Sequence, residues 1–218
     1  MEVVTTTKKI CDTFVLNKHY SRKAPIFWAG FALVENGMVT GVCVYGQPSP
    51  SIQRHAFSER NFRLFELVRL VVQSKTKNAS SFLVANSLKM LEPKPCAVIS
   101  YADTEMGHSG YIYQATNWLY TGATVSHDHL YLVDGKRLHP MTLRDMGITN
   151  PKEWAKTNGI KTVKPMPKHR YFQLVGSKSD KKRMLQRLRY PVIKAYPKGG
   201  GLRYDDGAEI EVTHNANP

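Results

Sequence analysis

Residues 97–122, AVISYADTEMGHSGYIYQATNWLYTG, carry the reading of the fold. Ala97-Val98-Ile99 is a short apolar run of the kind that forms a buried strand. It stops at Ser100-Tyr101-Ala102-Asp103, and a loop with Gly107 and Gly110 follows. Tyr111–Tyr120 then takes a helical period. Strand, polar tip, glycine loop and helix is how α/β proteins build sites, because ligands sit outside the carboxyl ends of strands. Asp103 stands at that tip. On a helix, Tyr113, Asn117 and Tyr120 would share one face, and Tyr111, Ala115 and Trp118 another suited to a core. One carboxylate, one phenol and one amide would then converge on a cleft. The structural alternative is that Asp103 caps the turn and the tyrosines only pack.

Working outward, 218 residues with 42% hydrophobic content make one domain with a real core, or one domain with an appendage. No run of 18 apolar residues exists, so no membrane helix is expected, and the first residues lack a signal-peptide apolar region. Cys11, Cys43 and Cys96 are odd in number and form no CxxC. They read as buried thiols of a reducing compartment, the cytoplasm.

Charge is unevenly placed. Residues 1–135 carry 13 Lys/Arg against 10 Asp/Glu, residues 136–203 carry 18 against 3, and residues 204–218 have four acids and no Lys or Arg. A near-neutral body bearing a strongly basic segment is the footprint of a polyanion partner. The boundaries drawn are a core over 1–135, a basic extension over 136–198 that completes the fold and binds nucleic acid, and a disordered tail over 199–218.

Upstream, Thr7 is an N-cap for a helix over Lys8–Lys18 with Ile10, Cys11, Phe14 and Val15 as its apolar stripe. At its end His19 and Tyr20 suit a general base and a base-stacking platform, or equally a cationic cap and a packing ring. Ile26–Val34 and Met38–Tyr45 are strands joined at Asn36-Gly37. Ser51–Arg63 reads as a loop or lid. Leu64–Val72 is a strand in which Arg69 interrupts the face of Phe65, Leu67 and Val71. A buried guanidinium needs a carboxylate such as Asp103, or an anionic ligand. A helix over Phe82–Leu91 has Asn78 as its cap. Lys75, Lys77, Asn78, Ser80 and Ser81 gather at its start as a donor-binding anion site.

Downstream, Thr124–Val133 reads as a strand with His127 and His129 on one face; two ligands are not a metal site, and none is assigned. His169–Val175 is a last strand and Ser177–Leu188 a basic helix. Tyr190–Lys198 is an aromatic, basic tail suited to phosphates and unstacked bases. Arg170, Lys181, Lys182, Arg183, Arg187, Arg189 and Lys194 are the candidate nucleic-acid contacts.

The order of elements resembles the mixed central sheet of GCN5-related N-acetyltransferases (GNAT). In that family the donor's pyrophosphate sits in an R/Q-x-x-G-x-G/A loop after the fourth strand. The equivalent stretch here, Gln73–Ser80, has no glycine. Six stretches are similar, in the same order, to the phage Mom family, a divergent branch of that fold. They are NKHYSR (17–22), FELVRL (65–70), NASSFLVANSL (78–88), SYADTEMGHSGYIYQATNWLYTG (100–122), KHRYFQLVG (168–176) and RLRYPVIKAYP (187–197).

The resemblance implies modification of adenine N6 in phage DNA with a carbamoylmethyl-type group, which protects that DNA from restriction enzymes. It points to His19, Tyr20, Arg69, Asp103 and Tyr113 as catalytic positions and to Ser81 as a further one. Asn117 would join Tyr20 and Tyr113 in holding the base. N6 chemistry needs a flipped or unpaired base in the double-stranded DNA partner. It also needs an activated acyl donor. Acetyl-CoA lacks the nitrogen of a carbamoylmethyl group, whereas a glycyl group from charged tRNA would give an isomer of equal mass. Iron held by His19 and Asp103 is another option. Two other classes remain open: an acetyltransferase acting on a protein or small amine, and a nucleic-acid-binding protein without catalysis.

Overall fold

The computed structural model describes residues 1–19, 23–59, 62–125 and 129–198. Tyr20, His127 and the whole 199–218 stretch lie outside the described residues. β1 (Glu2–Thr6) leads into α1 (Lys8–Lys18), whose Ile10 amide donates to the Thr7 hydroxyl. Cys11 and Val15 are the buried positions of that helix, while Ile10 is exposed. β2 (Ala29–Glu35) and β3 (Met38–Gly46) form the expected hairpin. Its turn residues Asn36 and Gly37 have φ of 50° and 76°, the left-handed pair that matches the strand twist. The first strand starts three residues later than the apolar run from Ile26 suggests.

The stretch read as a lid contains α2 (Pro50–His55), started by the Ser49 side chain and a proline in the first turn. β4 (Arg63–Val72) then runs through the sheet, and α3 (Ala79–Met90) follows. α3 begins three residues before the apolar periodicity does. Asn78 precedes it with φ of 63° and makes no side-chain cap, contrary to expectation. β5 (Cys96–Asp103) continues through the polar tip, so Asp103 is its last residue. A single 3₁₀ turn, Thr104–Met106, leads to α4 (Tyr111–Ala115).

The ten-residue helix expected over Tyr111–Tyr120 is corrected here. Asn117 adopts φ of 57°, the Trp118 amide returns to the Tyr113 carbonyl at 2.9 Å, and the chain turns into β6 (Leu119–Ala123). Asparagine tolerates this left-handed end better than other non-glycine residues. Tyr111 is consequently 67% exposed, while Trp118 is fully buried. The single strand expected over Thr124–Val133 is likewise absent: β6 stops at Ala123 and β7 (Leu130–Val133) belongs to another sheet.

β7 pairs with β8 (Lys136–Leu138) across the Asp134-Gly135 turn. α5 (Pro140–Asp145), α6 (Pro151–Thr157) and β9 (Thr162–Val163) complete this insert. Its sheet, ordered β8-β7-β9, has its own core around Tyr131, Leu143 and Ala155. β10 (Lys168–Val175) then returns between β5 and β6, and α7 (Lys178–Arg187) closes the described elements with a Ser177–Asp180 capping box.

The main sheet is ordered β1-β2-β3-β4-β5-β10-β6 and is antiparallel except at β4/β5. The fold class is the expected one, a mixed α/β sheet flanked by helices. One face packs α3 through Leu83, Val84 and Leu88. The other packs α1 through Cys11 and Val15, and α7 through Met184.

Two features of β4 create the site. Its parallel pairing with β5 runs only from Arg63↔Cys96 to Glu66↔Ile99, after which β4 continues with β3 and β5 with β10. The two strands therefore part and leave a gap. At the same level Tyr45 faces Leu67 while Val44 faces Arg69, so Val68 is an extra residue, a β-bulge. The bulge overturns the alternation read from the sequence. Leu67, Leu70 and Val72 join one core, while Val68 and Val71 join the other. Arg69 follows the bulge directly rather than interrupting a regular apolar face.

Candidate active site

A cleft of about 470 Å³ opens where β4 and β5 part. Its walls are the second half of β4, the Ser74–Ser81 approach to α3, the tip of β5, the glycine loop with the start of α4, and His19 at the end of α1. This brings together His19, Arg69, Asp103 and Tyr113 with Lys75, Lys77, Asn78, Ser80 and Ser81. Asn117 does not join them. The left-handed turn that ends α4 carries it to the exposed surface. Tyr120 lies in β6 with its hydroxyl on His169 Nδ1 at 2.9 Å.

Asp103 caps the turn that follows it, as one of its two readings has it. One carboxylate oxygen accepts from the Glu105 amide at 3.1 Å and so caps the 3₁₀ turn. The other accepts from Lys168 Nζ at 2.7 Å. The Arg69–Asp103 pair, one of the two partners open to Arg69, is not formed; β10 sets Lys168 directly opposite Asp103. Arg69 instead donates to the Val68 carbonyl at 2.7 Å and to the Lys23 carbonyl at 3.5 Å, tying the segment after α1 to the bulge.

Burial, then the charges of Arg69 and His108, lower the His19 pKa to about 4. His19 is therefore a neutral imidazole at pH 7, able to accept a proton. His108, in the glycine loop, is also lowered by burial, against a raising effect of Asp103. Glu66, where the strands part, goes the other way: burial raises it to about 6 although Arg69 and Lys168 pull it down. Both groups feel the charge of Arg69, and burial moves their pKa values in opposite directions.

The Tyr113 hydroxyl meets the Ser100 hydroxyl at 2.8 Å, and Ser100 donates to the Leu67 carbonyl at 2.8 Å. That carbonyl lies just past the last β4/β5 pair, so Ser100 satisfies a backbone group the gap would otherwise leave bare. Tyr113 also packs on Trp118 and Tyr171, with ring centroids 5.0 and 5.1 Å away. It forms a rigid aromatic wall. Sequence reasoning missed Ser100 and His108 in the cleft lining, Lys168 as the partner of Asp103, and Glu66 as a neighbour of Arg69 and Lys168. His108 lay within the glycine loop already singled out. No local signal marks Glu66 or Lys168, whose positions depend on strand pairing.

The approach to α3 holds its shape without glycine. Asn78 supplies the left-handed residue, Ala79 N–H reaches the Thr76 carbonyl at 3.2 Å, and Thr76 N–H reaches Ser74 Oγ at 3.0 Å. Glu35 accepts from the hydroxyls of Thr40 and Thr76, each at 2.7 Å, which lowers its pKa and pins the loop to β2. The first amides of a helix have no partner within it. Together with Lys75 and Lys77 they make this end of the cleft anion-seeking.

Gly110 fixes the other wall. Its φ is 83°, and a Cβ there would run into the Tyr171 ring. That ring is fully buried, and its hydroxyl donates to the Ser109 carbonyl at 2.5 Å. Gly110→Ala should therefore cost about 2–4 kcal/mol from backbone strain plus overpacking. A melt should show Tm lower by roughly 5–15 °C. An unchanged Tm would refute the close approach.

Iron finds no cage. Among the described residues no group of three His, Cys, Asp or Glu side chains is placed to hold a metal ion. The candidate nucleic-acid contacts divide. The Arg170 guanidinium donates to the Thr121 hydroxyl and carbonyl at 3.0 and 2.9 Å and lies 3.6 Å from the Tyr190 ring, so it fastens the tail to β6. The Tyr196 hydroxyl donates to the Trp118 carbonyl at 2.8 Å, so this ring too is used within the fold. Arg183 pairs with Asp180, and Arg187 with Glu59. Lys181, Lys182, Arg189 and Lys194 are exposed. No described helix is long and apolar enough to cross a membrane.

A model of the Mom protein family matches residues 1–198, the whole described chain. The chain belongs to the Mom protein family. Among curated proteins none matches it. Solved structures with a similar arrangement are acetyltransferases. An N-acetyltransferase from Staphylococcus aureus Mu50 is 13% identical with a TM-score of 0.44, over 80% of this chain and 98% of that one. The ribosomal-protein-alanine N-acetyltransferase from Brucella melitensis is 10% identical with a TM-score of 0.45, over 80% and 100%. An aminoglycoside 6'-N-acetyltransferase complexed with coenzyme A is 12% identical with a TM-score of 0.37, over 82% and 99%. In this Mom-family chain the loop before α3 takes its left-handed residue from Asn78.

Proposed function

We propose that this Mom-family chain transfers an acyl-derived, carbamoylmethyl-type group to N6 of adenine in DNA and so shields that DNA from restriction enzymes. The observation that carries the reading is the chemistry of the cleft's two ends. One end, at the start of α3, offers amides, Lys75 and Lys77 to an anionic donor. The other places Asp103, a neutral His19 and the Tyr113 wall where an amine-bearing ring can enter. The family supports the DNA base as acceptor, and the aminoglycoside acetyltransferase with coenzyme A illustrates a phosphate-bearing donor.

In this reading the donor is an activated acyl ester or thioester of glycyl type. The N6 lone pair attacks its carbonyl carbon. The new N–C bond forms as the C–O or C–S bond breaks, and the leaving group departs with that electron pair; the product of this step is N6-glycyladenine, the equal-mass isomer of the carbamoylmethyl form. Asp103 accepts a hydrogen bond from N6–H and orients it. His19 takes the N6 proton and returns it to the leaving group. Tyr113 packs against the base.

Mass spectrometry of nucleosides from DNA of bacteria expressing the protein tests this. An adenosine heavier by C2H3NO is the expected result. Unmodified DNA from a host that makes soluble protein and holds both charged tRNA and coenzyme A would overturn the reading.

A further inference from the structure

We infer that double-stranded DNA lies on the insert between β6 and β10, residues 129–167, rather than on the basic helix α7. This rests on the proposed function. The insert is not needed to complete the main sheet, because it has a separate sheet and a separate core. It is fastened beside the cleft at two points. Arg137 of β8 pairs with Glu105, and the Thr104 hydroxyl donates to the Pro167 carbonyl. Thr104 and Glu105 directly follow Asp103, and Lys168, which follows Pro167, holds Asp103. A duplex with one base turned into the cleft must pass beside it, where the insert stands.

The insert is also charged for that partner. Residues 129–167 carry seven Lys/Arg against three Asp/Glu. Only Arg137 among those cations forms an ion pair with a described residue. Lys136, Arg144, Lys152, Lys156, Lys161 and Lys164 are left for phosphate. On α6, Lys152 and Lys156 are four residues apart and share an exposed side, while Ala155 packs in the insert's core.

α7 is placed differently. It begins just after Val175, which pairs with Cys96 at the start of β5, whereas the cleft is at the β5 end marked by Asp103. Seven residue steps of strand separate those ends, roughly 23 Å. Lys181 belongs to a groove with Lys94 and Pro95 at the far end. Closer to the cleft, Arg183 and Arg187 are already paired with Asp180 and Glu59.

Salt-dependent binding of a fluorescent 20-base-pair DNA decides between the two faces. The full chain, Lys152→Gln/Lys156→Gln and Lys181→Gln/Lys182→Gln are compared, with melts to check folding. Each lost phosphate contact lowers the log–log salt slope by about one. The insert variant should lose a slope of about two, with affinity down at least tenfold at low salt, and the α7 variant should match the parent. The reverse pattern, or equal losses, overturns the insert as the docking surface and leaves the proposed function standing. A parent protein that does not bind duplex DNA, or binds it without salt dependence, overturns the duplex as partner. Nucleoside mass analysis then reports on the proposed function separately.

Discussion

Asp103→Asn should lower adenine modification of cellular DNA by at least about 100-fold, the range seen when a positioned acid–base or orienting group is removed. The substitution is chosen because it separates the two tasks of this side chain. Asparagine keeps an oxygen for the Glu105 amide, so the 3₁₀ turn stays capped. It loses the charge that Lys168 holds, and with it the strong acceptor that the proposed function assigns to the N6–H. The stability cost is small. The Asp103 side chain is 14% exposed but its partner lysine is 46% exposed, so the pair contributes about 1 kcal/mol or less. Protein level and Tm should therefore stay near those of the parent while nucleoside mass analysis shows the modified adenosine nearly gone. Asp103→Ala would remove cap and charge together and lose a further degree or two of Tm. If Asp103→Asn keeps full modification at normal protein levels, the carboxylate is structural and the assignment of the cleft's acceptor end is wrong.

Elements whose signals are local were legible in the sequence. The Thr7 cap and the Asn36-Gly37 turn depend on a few adjacent residues, and the structure has them where the sequence places them. The strand around Arg69 and the tip at Asp103 were legible for the same reason, since apolar runs and their ends are local. What failed is what pairing decides. The bulge at Val68 arises between β3 and β4, so strict alternation along β4 could not reveal that Val68 and Leu70 belong to different faces. The Lys168–Asp103 pair exists because β10 crosses 65 residues of chain to lie beside β5. α4 is short because one residue, Asn117, takes a left-handed backbone, and a helical pattern of tyrosines and a tryptophan does not record that choice. The cleft's inventory was therefore largely readable while its wiring was not.

His19→Gln should cost at least about 100-fold in modification at pH 7.5, because glutamine cannot take the N6 proton. A second effect marks the role of its environment and does not depend on the reaction. The His19 pKa falls from 6.5 to about 4 on folding, first through burial and then through Arg69 and His108. The unfolded chain then binds more protons than the folded one between those values. Stability associated with the neutral imidazole is present above pH 6.5 and is lost as pH falls toward 4. Glu66 has the opposite sign. Burial raises it from 4.5 to about 6, so its contribution is present below pH 4.5 and is lost as pH rises through 6. The histidine shift is the larger, so Tm of the parent should fall between pH 7 and pH 5. His19→Gln should flatten that fall and Glu66→Gln should steepen it. In activity, loss of the Glu66 charge below about pH 6 removes the counterweight to Arg69 and Lys168 beside the cleft. The parent's pH–rate profile should then bend near pH 6, and Glu66→Gln should erase that bend while His19→Gln lowers the whole curve. A His19→Gln protein that keeps its activity, or whose Tm falls with acid as the parent's does, would remove His19 from the proton path and return that role to His108, the other imidazole of the same cleft.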